Sequence, residues 1–181
     1  MIRLVQANLE LLDAALDGDE SLAKALGHDV VPGWVTFTEA LQPTRDALAA
    51  QGGDATWGTR FFVSGDPPEL VGWGGFKGPP EGGVVELGYE IAESRSGRGL
   101  ATAATRAMLA AAFADEDVTA VIAHTLAESN ASNRVLEKTG FRFQGEVHDE
   151  GQLVWRFRLA REDAQAGDRA RRERENGVSS N

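Results

Sequence analysis

The chain has 181 residues, 42% of them hydrophobic, with a net charge of -10 at pH 7 and no cysteine. That length and apolar content fit one domain with a real core, and the lack of cysteine excludes disulfides, a thiol nucleophile and thiolate metal sites. The acidic balance argues against nucleic acid as a partner, since phosphate recognition needs clustered Lys and Arg, and it suits a cationic or amine-bearing substrate.

The first strand is expected at residues 2–6, IRLVQ, and the start of the chain lacks the basic region, apolar run and cleavage site of a secretory signal. No apolar run approaches the roughly 20 residues of a membrane span. A cytoplasmic location without membrane contact is therefore expected. Residues 9–26 carry apolar side chains at helical spacing, broken near Gly18, and residues 36–51 continue the helical signal, with Pro43 expected to kink or divide it. From Thr56 the pattern turns to strands. TWGTRFFV, the turn SGDPPE and LVGWGGF read as a hairpin. VVELGYEIA follows as a third strand, in which Val85, Leu87, Tyr89 and Ile91 face one way and Glu86, Gly88 and Glu90 the other.

SRSGRG then opens into a helix from about Gly99 to Phe113, with Ala104, Met108, Ala111 and Ala112 on its packing stripe. Strand AVIAHTL, a short helix NASNRVLEKTG and strands FRFQGEV and QLVWRFRL complete the order. Residues 1–160 read as the domain and residues 161–181 as a polar tail, helical near DRARRERE or flexible. From Arg161 onward five arginines balance five acids, so the excess negative charge lies in the domain.

A strand that ends in Gly97-Arg98-Gly99 and opens at once into a helix leaves backbone N–H groups pointing out of the helix start, where the dipole is positive. Such a turn suits phosphate oxygens, with Arg98 adding a charged donor. It also serves as a plain strand-to-helix connection. A Walker A loop is absent, and a dinucleotide fingerprint would need glycine where Thr102 stands.

SGRGLA, Ser96 to Ala101, resembles the Q/R-x-x-G-x-G/A coenzyme A loop of the GCN5-related N-acetyltransferases (GNAT), with Ser96 in place of the usual Gln or Arg. NASNRVLEKTGF, Asn130 to Phe141, looks like the same family's N-x-A-S-x-R-V-L-E-K-x-G-F segment. With GWGGF and ELGYEI, the resemblance covers about residues 1–160 and points to the branch of the ribosomal-protein N-terminal (alanine) acetyltransferases. It implies an α/β (α+β) fold: a mixed, strongly twisted, mostly antiparallel sheet flanked by helices, with VVELGYEIA and AVIAHTL splayed at their ends.

The resemblance further implies acetyl-CoA as co-substrate, held by amides at Ile91 and Ala92 and by the backbone of Gly97, Arg98, Gly99, Leu100, Ala101 and Thr102. Ser129, at the family's asparagine position, and Asn130 are further candidates for the cofactor. The acceptor is then a primary amine, either a protein N-terminus or a small molecule. Glu86 is the candidate base, with Glu90 the runner-up, and Ser132 the candidate acid, because Leu136 holds the position of the tyrosine used by many relatives.

The alternative is a non-catalytic acyl-CoA-binding module of the same fold. No metal is expected, since His28, His124 and His148 lack ligand spacing. His124 reads as a packed or surface residue, the four tryptophans as mostly core, with Trp34 a candidate for the acceptor wall, and a homodimer is compatible with the sequence.

Overall fold

The computed structural model describes residues 2–149 and 151–178, without the side chains of 168 and 175–178. Met1, Glu150 and the last three residues of the tail lie outside the described residues. The chain forms two compact units. One runs up to Pro79 and takes in Leu87–Met108; the other comprises Pro80–Glu86 and the chain from Leu109 onward.

In the first unit, β1 (Ile2–Gln6) leads into α1 (Leu9–Asp17) and α2 (Asp19–Leu26). Asn8 caps α1 by accepting the Leu11 N–H at 2.8 Å. Gly18, at φ 128°, separates the two helices where the sequence pattern breaks. The two-residue β2 (Asp29–Val30), absent from the sequence reading, runs parallel to β4 (Glu69–Phe76). A 3-10 turn at Thr38–Ala40 precedes α3 (Leu41–Ala50). Pro43 does not kink that helix. It sits in the first turn, where a missing N–H costs little and the fixed φ is already helical.

β1 pairs antiparallel with β3 (Thr59–Ser64), β3 with β4, and β4 with the last five residues of β5 (Val84–Ile91). Between Phe62↔Gly72 and Val63↔Leu70 the register slips, leaving Val71 as a bulge. A Cβ built on Gly74 would stand 2.5 Å from the Gly88 carbonyl oxygen and 2.8 Å from Phe62 Cζ, so the backbones here approach too closely for any side chain.

The helices bury Leu11, Leu12, Leu22, Leu41 and Leu48 against Phe61, Leu70 and Trp73. Trp34 is 1% exposed at the centre of this core, edge-on to Phe61 and Trp73 at 5.5 and 5.8 Å, with its indole N–H donating to Asp19 Oδ1 at 2.9 Å. Trp34 is therefore core, and its expected place on an acceptor wall is corrected.

In the second unit the first three residues of β5 run parallel to β6 (Ala120–Leu126), β6 antiparallel to β8 (Gln152–Ala160), and β8 antiparallel to β7 (Arg142–Asp149). The β5–β6 ladder covers Val84↔Ala120 to Glu86↔Ile122. α4 (Leu100–Ala114) buries Ala104, Thr105, Met108, Leu109 and Ala112, while Ala111 is exposed. The buried stripe is centred on Met108 and Ala112 and leaves Ala111 on its flank.

α5 (Ala131–Lys138) and α6 (Arg161–Val178) follow. The tail is thus helical from its first residue. The Arg161 guanidinium donates to the carbonyls of Phe113 and Val118, both at 2.8 Å, and of Asp115, closing the C-terminal end of α4. No helix among the described residues is long and apolar enough to cross a membrane.

Candidate active site

The glycine turn lies in the first unit. The Ala92 N–H donates to the Val71 carbonyl at 2.8 Å. This corrects the expectation that Ala92 offers an unpaired amide. The same bond makes Gly72↔Ile91 a non-hydrogen-bonded pair of the ladder, so Ile91 turns its own N–H and C=O away from β4. A 3-10 turn at Glu93–Arg95 follows, then Gly97 at φ 72° and Gly99 at φ 76°, flanking an exposed Arg98.

The bond from Ala103 N to Gly99 O, at 3.0 Å, closes the first turn of α4, so the amides of Leu100, Ala101 and Thr102 precede the helical ladder. Left-handed glycines feeding a helix start form a concave row of N–H groups suited to an anion. A Cβ on Gly97 or Gly99 would meet nothing within 4 Å. Glycine is required there by the backbone conformation, and the space beside it is open.

Arg95 braces this turn. Its guanidinium grips both carboxylate oxygens of Glu69 at the start of β4, at 2.5 and 2.8 Å. The Arg95 hydrogen bond, helped by the charges of Arg95 and Arg98 against partial desolvation, holds the Glu69 carboxyl below its ordinary value of 4.5. A depressed carboxyl stabilises the fold above its unfolded-state value and loses that contribution as pH falls through the folded value. Glu69→Gln should therefore lower Tm at pH 7 by about 2 °C. The difference from the parent should begin to close below pH 4.5, which thermal melts across pH 3–7 would read.

Glu90, the runner-up base, also lies in the first unit. It sits directly across the ladder from Trp73, whose indole N–H donates to Oε1, while the Thr36 N–H donates to Oε2 at 3.0 Å. Both oxygens accept hydrogen bonds that tie the segment around Thr36 to the sheet.

Glu86 lies in the second unit, on the sheet face it shares with Ile122, His124 and Arg156 through the β5–β6 and β6–β8 registers. Its Oε1 stands 2.9 Å from His124 Nδ1, the Arg156 Nε–H donates to His124 Nε2 at 3.0 Å, and Asp149 Oδ2 lies 3.8 Å from Nδ1. The His124 side chain is 8% exposed and that of Glu86 19%. His124 is thus packed, yet packed within a polar network.

Ligand atoms of Glu86, His124 and Asp149 come within 4.8 Å of one another, close enough to hold a cation. Arginine only donates, so Nε2 accepts and the proton of a neutral ring belongs on Nδ1, the nitrogen facing both carboxylates. That arrangement suits hydrogen bonding to carboxylates rather than metal ligation.

α5 begins with Asn130 as its N-cap, accepting the Asn133 N–H at 3.1 Å. The Asn130 carbonyl is therefore engaged locally. Asn133, not singled out in the sequence, is buried. Its Nδ2 donates to Glu128 O at 2.8 Å and its Oδ1 lacks a hydrogen-bond partner, an acceptor suited to a ligand amide. Ser129 is exposed, Ser132 half-buried as the second residue of α5, and Leu136 buried.

The sequence pattern of the acetyltransferase (GNAT) domain matches residues 3–142. The chain is 31% identical over 143 residues to the Bacillus subtilis (strain 168) protein named uncharacterized N-acetyltransferase YjdG, covering 77% of this chain and 85% of that one. Two solved structures share its fold. The aminoglycoside acetyltransferase AAC(6')-Ib in complex with coenzyme A is 18% identical, with a TM-score of 0.63 over 92% of this chain and 98% of that one. Mycobacterium smegmatis RimJ in complex with CoA-disulfide is 21% identical, with a TM-score of 0.62 over 90% and 83%. A match across residues 3–142 and a relative above 30% identity agree with the mixed, mostly antiparallel sheet and its glycine turn: the chain belongs to the GNAT acetyltransferase family.

Proposed function

We propose that this acetyltransferase moves the acetyl group of acetyl-CoA directly onto a primary amine, with Glu86 as the base. The observation that carries the reading is the Glu86 carboxylate itself, mostly shielded from water on β5 and fixed by a hydrogen-bonded imidazole. The acetyl donor is acetyl-CoA. Its pyrophosphate takes the amides from Gly97 to Thr102 and the Arg98 guanidinium, while Ile91 offers its outward N–H and C=O to the pantetheine arm as an added strand would. Ser129 and Asn130 remain cofactor candidates, Asn130 through its nitrogen, since its oxygen caps α5.

Glu86 takes a proton from the attacking amine as the new C–N bond forms. The C–S bond breaks as the tetrahedral intermediate collapses, and the departing thiolate is protonated by Ser132 or by a water that Ser132 orients. The acceptor is a protein N-terminus, as the likeness to the ribosomal-protein branch suggests, or a small amine. The net charge of -10 favours a cationic one.

Incubation with acetyl-CoA and a mixed amine and peptide library, followed by mass spectrometry and thiol release, tests the reading. An acetylated amine with equimolar free CoA is expected. Saturable acetyl-CoA binding with thiol release no faster than hydrolysis would establish a binding module instead.

A further inference from the structure

We propose that His124 is a positioning residue for Glu86, and that Arg156 fixes the direction in which its ring donates. The inference rests on Glu86 as the base. Three groups from three adjacent strands line up on one face: Glu86 of β5, His124 of β6 and Arg156 of β8, with His124 and Arg156 directly paired in the ladder. The guanidinium has five donors and no acceptor, so its contact at 3.0 Å commits His124 Nε2 to accepting. The neutral ring then carries its hydrogen on Nδ1 and donates it to Glu86 Oε1 at 2.9 Å. Asp149 Oδ2, 3.8 Å from the same nitrogen, favours the same orientation. With His124 only 8% exposed, water competes poorly for these bonds.

The arrangement also decides what His124 does not do. An imidazole relays a proton by taking one on one nitrogen and releasing another from the second. Here Nε2 faces a group that cannot accept, so the relay is closed in that direction. The proton Glu86 takes from the amine leaves from Glu86 itself. His124 holds one carboxylate oxygen still. Among the described residues, the charged groups that approach the ring's nitrogens sit on β5, β7 and β8: Glu86, Asp149 and Arg156.

Two-bond 15N–1H NMR of the histidine-labelled protein reads the tautomer without any acceptor present. His124 should show a protonated Nδ1, and Arg156→Met, which removes the donor facing Nε2, should let a fraction carrying Nε2–H appear, whereas a spectrum unchanged by Arg156→Met would remove Arg156 from this role. In kinetics, His124→Leu should lower kcat about 10-fold to 100-fold with acceptor KM changed less than about 2-fold, since misplacing a catalytic group costs turnover rather than binding. His124→Asn keeps an N–H near the place of Nδ1 and should retain kcat within about 3-fold of the parent.

A protonated Nε2 in the parent protein, or full kcat in His124→Leu, would overturn the proposal. If Glu86 is not the base, Glu86→Gln keeps full turnover while the NMR result stands, so the two failures are told apart.

Discussion

Glu86→Gln lowers kcat for a primary amine by about 100-fold or more, the usual contribution of a general base, and leaves acetyl-CoA affinity unchanged. The substitution is nearly isosteric. A glutamine oxygen can still accept from His124 Nδ1–H, the bond now made by Glu86 Oε1 at 2.9 Å. Because that nitrogen donates, the amide oxygen turns toward it, and the amide cannot take a proton from the attacking amine.

The fold therefore survives and the chemical step does not. Steady-state rates with the best acceptor of the library, together with calorimetric titration of acetyl-CoA, separate the two effects. Loss confined to kcat is the result for a base, whereas unaltered turnover would remove Glu86 from that role. A large rise in the Kd of acetyl-CoA would instead make it a binding residue.

The sequence disclosed most of the architecture because the relevant signals are local. The break at Gly18, the alternation along Val84–Ile91 and the two glycines before Leu100 are each set by a few neighbouring residues, and each appears where expected. The site was legible only to the same depth. Period two along β5 places Glu86 and Glu90 on one face, but it cannot say which side chains stand opposite. Trp73 and the Thr36 amide both hydrogen-bond Glu90, and both reach it through sheet pairing and loop placement far along the chain.

His124 and Arg156 are 32 residues apart, and their contact follows from the β6–β8 register, which no local pattern encodes. The bond from the Ala92 amide to the Val71 carbonyl likewise continues the β4–β5 register, a pairing between strands that a local pattern does not encode. Pro43 differs in being local. Its misreading came from placing it in a helix interior, when the preceding 3-10 turn puts it at a helix start.

Gly99→Val raises the Kd of acetyl-CoA by about 10-fold or more while the protein still folds. A left-handed conformation costs an ordinary L-residue roughly 1–2 kcal/mol, and a β-branched one more. At φ 76° valine therefore pulls the turn toward negative φ and rotates the amides that open α4. Nothing lies within 4 Å of the added Cβ, so no protein atom is struck, and the side chain enters the open space beside the turn.

Gly74→Val provides the contrast. Its Cβ meets the Gly88 carbonyl oxygen at 2.5 Å inside the sheet, so that variant loses the fold rather than the ligand. Gly99→Asn lies between, because asparagine tolerates the left-handed region and keeps the turn's shape with a smaller intrusion. Thermal melts and acetyl-CoA titration separate the three variants. Gly74→Val should show the largest fall in Tm, and Gly99→Val the weakest binding among the variants that fold. Parent-like affinity in Gly99→Val would mean that the phosphates are held elsewhere, and that the two glycines serve only to join a strand to a helix.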